Sequence, residues 1–151
     1  MRDSSPGAPR QKPPAEASCF SAAPPIGEEA VLWLRYLAGE RRASRHTIDA
    51  YRRDAAAFLA FLTVHLGERP GAAELKSLQP ADLRAYLAAR RRDGLESRSL
   101  LRSLAAVRNF LRFLEQKGLA RTDVFGAVRP PKRPHSLPKA LTVTDARDIV
   151  D

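Results

Sequence analysis

The chain has 151 residues, 44% of them hydrophobic and 28% charged, with a formal net charge of +9 and a pI near 10.6. That suits one core of ordinary size and excludes a wholly disordered chain. It has neither the roughly 18 consecutive apolar residues of a membrane span nor the N-terminal apolar run of a signal peptide. The one cysteine, Cys19, excludes a disulfide framework, and with His46, His65 and His135 it forms no metal-ligand spacing. The expectation is a reducing, cytoplasmic setting with no cofactor and no structural metal.

Charge is distributed unevenly. Residues 41–133 hold 20 Lys or Arg against 9 Asp or Glu, so the middle of the chain carries the whole positive excess. A basic globular segment implies a polyanionic partner, nucleic acid ahead of an anionic membrane.

Residues 1–26 contain six prolines among Ala, Ser and single charges, with no apolar period, and are expected to be a disordered leader. Residues 27–129 show almost no strand signal and four helical patterns, which predicts an all-α domain. The first pattern, 28–42, opens with Glu28 and Glu29, which suit the helix dipole. Its apolar residues Val31, Leu32, Trp33, Leu34, Tyr36 and Leu37 point in nearly every direction. Such a helix needs cover on several sides, from its own domain alone or from its own core together with a second chain.

The second pattern is capped by Ser44 and runs to Leu66, stopped by Gly67 and Pro70. Ile48, Tyr51, Ala55, Phe58, Leu59 and Leu62 fall on one face, with Arg45, His46, Asp49, Arg52 and Arg53 opposite. The third, 80–92, starts with Pro80 at its first position and stops at Asp93-Gly94. The fourth, 97–117, carries Leu100, Leu104, Val107, Leu111 and Leu114 at intervals of four and three, and ends at Gly118. Arg98, Arg102, Arg108 and Arg112 share its opposite side. The second and fourth patterns both contain Phe-Leu-x-Phe-Leu, at 58–62 and 110–114, which suggests two crossed helical hairpins. Residues 130–140, with four prolines, read as an interdomain linker, and 141–151 as the start of a truncated further domain, with Thr142 or Thr144 as a helix cap.

Between Arg98 and Gln116 the fourth pattern has one acid, Glu115, whereas a salt-bridged surface mixes the signs. Its arginines, with Arg45, Arg52 and Arg53, read as a phosphate-binding face, although solvated helices also carry arginine. Ser44 and Thr47 could donate to phosphate at a helix N-terminus or simply cap it. His46 could contact a phosphate or a base edge, or be an ordinary exposed histidine. Tyr36, Tyr51 and Tyr86 read as core. There is no phosphate loop, nucleophile-base pair or carboxylate cluster, so no catalytic site is expected.

Ser44, Thr47, Tyr51, Asp54, Phe58 and Phe61 resemble the S-x-x-T-x-x-x-Y-x-x-D-L-x-x-F-x-x-F pattern of the N-terminal core-binding (SAM-like) domain of tyrosine recombinases and phage integrases, nearest the bacterial XerC and XerD type. Residues 97–118 are similar to that family's S-x-x-R-x-L-S-A-L-R-x-F-Y-x-F-L helix, and 131–142 to its P-K-x-x-x-x-L-P-K-x-L-T linker. One departure is Asp123-Val-Phe-Gly-Ala127, where the family usually has Asn-Pro-Ala.

The resemblance implies a clamp on duplex DNA at an inverted-repeat recombination site, with the second and fourth helices at the major groove. Ser44, Arg45, His46, Thr47, Arg52, Arg53, Arg98, Arg102, Arg108, Arg112, Lys132 and Arg133 are the expected DNA-binding residues. The family's first helix contacts neighbouring protomers in a homo- or hetero-tetramer, which puts Trp33, Tyr36 and Leu37 at that interface. Family members cut and rejoin DNA through a tyrosine, without a cofactor, in chromosome dimer resolution or mobile-element integration. Their catalytic residues follow the linker, so this chain is expected to bind DNA without catalysis, as a fragment rather than a lone remnant. The competing expectation is a helical protein-interaction module; a membrane-surface role is weaker, because the helices can bury their apolar faces in each other.

Overall fold

A computed structural model describes residues 17–132. The leader before Ala17, Arg133 and the rest of the linker, and the helix expected after Thr142 or Thr144 lie outside the described residues. The fold is all-α, with five helices among the described residues: α1 (Ile26–Gly39), α2 (Arg45–Leu66), α3 (Ala72–Lys76), α4 (Pro80–Arg92) and α5 (Ser97–Glu115). A 3₁₀ turn at Ala17–Cys19 precedes them and another at Asp123–Ala127 follows.

Local chemistry sets the helix ends. Ser44, in an extended conformation, accepts the Thr47 N–H on its hydroxyl at 3.0 Å, which satisfies one of the orphan donors of α2. Gly67 closes the same helix at φ 83°, a left-handed position that costs glycine nothing. Pro80 takes the first position of α4, and Asp82 accepts the Gln79 N–H at 2.8 Å.

α2 and α5 form the main contact of the fold; α1 packs on both, and α4 packs on α5, on α2 and on the second 3₁₀ turn. Phe58, Leu59, Leu62, Leu83, Tyr86, Val107, Phe110, Leu111 and Leu114 are fully buried between them. Most of these are positions that the 3.6-residue period selects, but Ile48, Tyr51 and Leu104 of the expected stripes are only half-buried, and Phe110, outside the expected stripe of α5, is fully buried.

Three expectations change. The fourfold pattern becomes five helices because α3, five residues long, forms between the second and third patterns, a stretch to which the sequence pattern assigns no element; the Glu74 carboxylate accepts the Gly71 N–H at 2.8 Å and Leu75 is buried. Helix α1 starts two residues earlier and stops at Gly39, with Arg42 at φ 51°. Residues 17–26, expected in the leader, pack on the domain: Ala17, Phe20, Ala22 and Ile26 are buried. Polar contacts tie this segment to the end of α2. The Ser21 and Thr63 hydroxyls lie 2.7 Å apart, and the Ala23 N–H donates to the Pro70 carbonyl at 2.9 Å. Four apolar residues spaced without a period fill gaps that other elements leave, and sequence spacing does not show that.

Trp33, expected at a protomer interface, is enclosed by its own domain. Its ring centroid lies 4.9 Å from that of Phe110 and 6.1 Å from that of Tyr51, and its Nε1–H donates to Asn109 Oδ1 at 2.8 Å. Leu37 is enclosed as well. Side chains buried to this degree offer nothing to a second chain, so both belong to the core. Of the expected three only Tyr36 reaches the surface, with Leu32 four residues before it.

Candidate nucleic-acid interface

The outer faces of α2 and α5 carry the cations. Arg45, His46, Arg52 and Arg53 are exposed on α2, and Arg98, Arg102, Arg108 and Arg112 on α5; Lys132 is exposed beyond the second 3₁₀ turn, and Arg133 lies outside the described residues. Arg45, Arg53, Arg98, Arg108 and Arg112 make no ion pair among the described residues, whereas Arg52 pairs with Asp49 at 3.0 Å. The only acid within α5, Glu115, stands three residues after Arg112 and is engaged by Thr122. Its two carboxylate oxygens accept the Thr122 N–H at 3.1 Å and the Thr122 hydroxyl at 2.8 Å. Four arginines against that one acid leave α5 a net positive outer side.

Arg102 differs from the other arginines of α5. Its Nε–H donates to Asp54 Oδ2 at 2.9 Å and its Nη2–H to Asp54 Oδ1 at 3.0 Å, a two-bond fork across the seam between α2 and α5. The Asp54 side chain is 1% exposed and that of Arg102 is 41% exposed, so the carboxylate lies inside and the guanidinium reaches out. The hydrogen bonds to Asp54 hold Arg102 in its charged form more firmly than usual, against the smaller opposing effect of burial.

Beneath the fork, the Tyr86 hydroxyl lies 2.6 Å from Ser103 Oγ and 3.5 Å from the Asp54 carbonyl oxygen. Burial pushes the Tyr86 phenol above its ordinary pKa near 10, with Ser103 opposing. The seam is thus a connected polar network of α2, α4 and α5 inside an apolar core.

Farther along α5, Arg108 and Arg112 border an open groove of about 520 Å³, whose wall also includes Tyr51, Asn109, Phe125 and Pro130. The Arg108 guanidinium sits 6.0 Å from the Phe125 ring centroid, within cation–π range. At the start of α2, Ser44 acts as the cap: besides accepting from Thr47 N–H, its hydroxyl donates to Thr47 Oγ1 at 3.0 Å. Arg45 and His46 are exposed beside it.

Two residues of this region are not singled out by the sequence alone. Asp54 belongs to the family-like pattern without a role attached to it; a lone acid at the edge of the apolar face of α2 is the signal, because a buried carboxylate needs a cation. Asn109 also holds the Trp33 ring while lining the arginine groove. Its spacing alone carries no signal. Among the described residues, no group of His, Cys, Asp or Glu could hold a metal ion, and no helix is long and apolar enough to cross a membrane.

An all-α domain with one basic face defines a class that the comparisons specify. Residues 30–118 match the model of the phage integrase N-terminal SAM-like domain, and the chain belongs to that family. It is 51% identical over 118 residues to a protein named tyrosine recombinase XerC from Mesorhizobium japonicum, covering 78% of this chain and 38% of that protein. A protein of the same name from Rhizobium meliloti is 51% identical over 127 residues, 84% of this chain and 40% of its own length. The one from Nitrobacter winogradskyi is 42% identical over 142 residues, 94% of this chain and 44% of its own length. The chain thus spans about two fifths of the length of these relatives. No solved structure matches it significantly.

Proposed function

We propose that this chain is the DNA-binding part of a site-specific tyrosine recombinase, and that it grips duplex DNA with the outer faces of α2 and α5. The observation that carries the reading is the set of five arginines, Arg45, Arg53, Arg98, Arg108 and Arg112, exposed and without an ion pair among the described residues. Unpaired cations on a rigid helix face replace the counterions of phosphates, and counterion release drives such binding. Family membership and the relatives' printed names support the same reading.

In this reading residues 27–129 form the DNA-binding domain, 130–140 the tether and 141–151 the start of a catalytic domain. Lys132 and Arg133 follow the DNA backbone beyond the domain. The site is an inverted repeat bound by neighbouring protomers, whose contact on α1 falls at Tyr36 and Leu32 rather than at the enclosed Trp33 and Leu37. The reaction served is chromosome dimer resolution in the cytoplasm. Integration of a mobile element is the alternative.

A salt titration of the purified chain with 30-base-pair duplexes, one carrying an inverted-repeat recombination site and one scrambled, tests the reading. Binding that weakens steeply with salt and prefers the repeat is the expected result. Self-association or protein capture, with no duplex binding at 0.05 M salt, would replace it with the interaction-module reading.

A further inference from the structure

We infer that Asp54 orients Arg102 to read a guanine edge in the major groove, which makes Arg102 a specificity-determining residue and Asp54 its positioning residue. The inference rests on the DNA-binding reading above and adds a division of labour among its arginines.

The geometry of the fork carries it. An arginine has five N–H donors, and Asp54 takes two of them along one edge, Nε–H and one Nη2–H, at 2.9 and 3.0 Å. The remaining three, on Nη1 and Nη2, point away from the carboxylate, and the side chain is 41% exposed. Guanine offers two neighbouring acceptors, O6 and N7, to such a pair of donors. On α5 the exposed Ala105, three residues after Arg102, puts no long side chain on that side of it, and Arg98 stands four residues before.

Charge separates this role from phosphate binding. Phosphates are best met by cations that have no carboxylate partner, and α2 and α5 supply five of those. Arg102 already has its charge balanced by Asp54, so it gains least from a phosphate. A base edge is neutral and asks instead for donors held in a fixed plane, which a two-bond fork anchored in a buried carboxylate provides. The rotamer freedom of the long side chain is lost on folding rather than on binding.

The test is selection of bound duplexes from a pool with randomised positions, using the full chain as wild type, Arg102→Lys and Asp54→Asn, with thermal unfolding of each variant. Wild type is expected to enrich a motif with one guanine that depends on Arg102. Arg102→Lys keeps the charge but cannot make the planar fork, and preference for that guanine falls roughly tenfold while the other positions keep theirs. Asp54→Asn loses the same preference and, by freeing one positive charge, steepens the slope of log K against log salt by about 0.9. The slope reports only that the charge of Arg102 is released; the readout that a purely structural role would not move is the loss of preference at that one guanine while the other positions keep theirs.

An unchanged motif in Arg102→Lys overturns the inference and leaves Arg102 as an interhelical clamp. A uniform loss of affinity across all sequences overturns it in favour of a phosphate contact. If Asp54→Asn does not fold, Arg102→Lys decides alone. A wild type that binds no duplex fails the DNA-binding reading itself, an outcome distinct from a retained motif.

Discussion

The seam between α2 and α5 and the outer face of α5 are built from the same residue type and behave differently. Arg98, Arg102, Arg108 and Arg112 share one side of a single helix, yet Arg102 is bound into the fold by Asp54 while Arg98, Arg108 and Arg112 have no ion pair among the described residues. What separates them is the neighbouring helix. Where α2 presents a buried carboxylate, the arginine becomes part of the structure; where no acid stands opposite, its charge is left for a ligand. A basic face is therefore a mixture, and its members can be sorted by what the protein loses when each is removed.

The largest expected effect falls on the seam. Arg102→Ala strands a buried carboxylate and should lower stability by about 3 kcal/mol, the lower end for breaking a buried pair because this guanidinium is partly solvated. Arg112→Ala removes an exposed cation and should stay within about 0.5 kcal/mol of wild type. Urea denaturation of the two variants checks the contrast directly; equal losses would erase it. DNA binding should show the reverse. Arg108→Ala with Arg112→Ala is expected to reduce the salt slope by about 1.8, about 0.9 for each phosphate left unneutralised, at a stability cost of about 1 kcal/mol or less from the lost Arg108–Phe125 contact. Filter binding between 0.05 and 0.2 M salt measures it, and an unaltered slope would remove both residues from the interface.

The sequence makes the boundaries of this contrast visible but not its content. Ser44, Gly67, Pro80 and Gly118 mark helix ends because each has a local backbone role, and α2, α4 and α5 accordingly end within two residues of expectation. The opposed faces of α2 and α5 follow from period alone. Arg102 cannot be told from Arg98 that way, since both lie on the outer face and only the position of α2 selects one of them. Trp33 misleads for a related reason: α1 is apolar all round, and whether it meets a second chain or its own domain depends on how closely α2 and α5 approach it. Phe20 has no periodic neighbours at all, and Glu74 capping α3 is hidden in a stretch too short to show a pattern.

The effect at Ser44 should be smaller than that at Arg102 and should leave the basic face alone. Ser44→Ala removes the acceptor of the Thr47 N–H, and removing a cap of this kind costs about 1 kcal/mol. The duplex slope should barely change if Ser44 only caps, whereas a reduced affinity at unchanged stability would place its hydroxyl on a phosphate.

An effect of similar size concerns the neutral part of the seam and separates a hydrogen bond from a packed ring. Tyr86→Phe keeps the edge-on contact with Phe58, 5.1 Å between centroids, and deletes only the hydroxyl that meets Ser103. A buried partner left without its bond costs about 1 kcal/mol. Adding Ser103→Ala removes that orphan, so the double variant should be more stable than Tyr86→Phe alone. The pH dependence supplies an independent sign. The Tyr86 pKa is raised in the folded state, so its contribution is fully present below pH 10, where an unfolded tyrosine begins to ionise, and is lost as pH rises through the higher folded value. Wild-type stability should therefore fall above pH 10 more steeply than that of Tyr86→Phe. Parallel curves would mean that the phenol ionises as easily inside the seam as outside it, and that the seam is open to water.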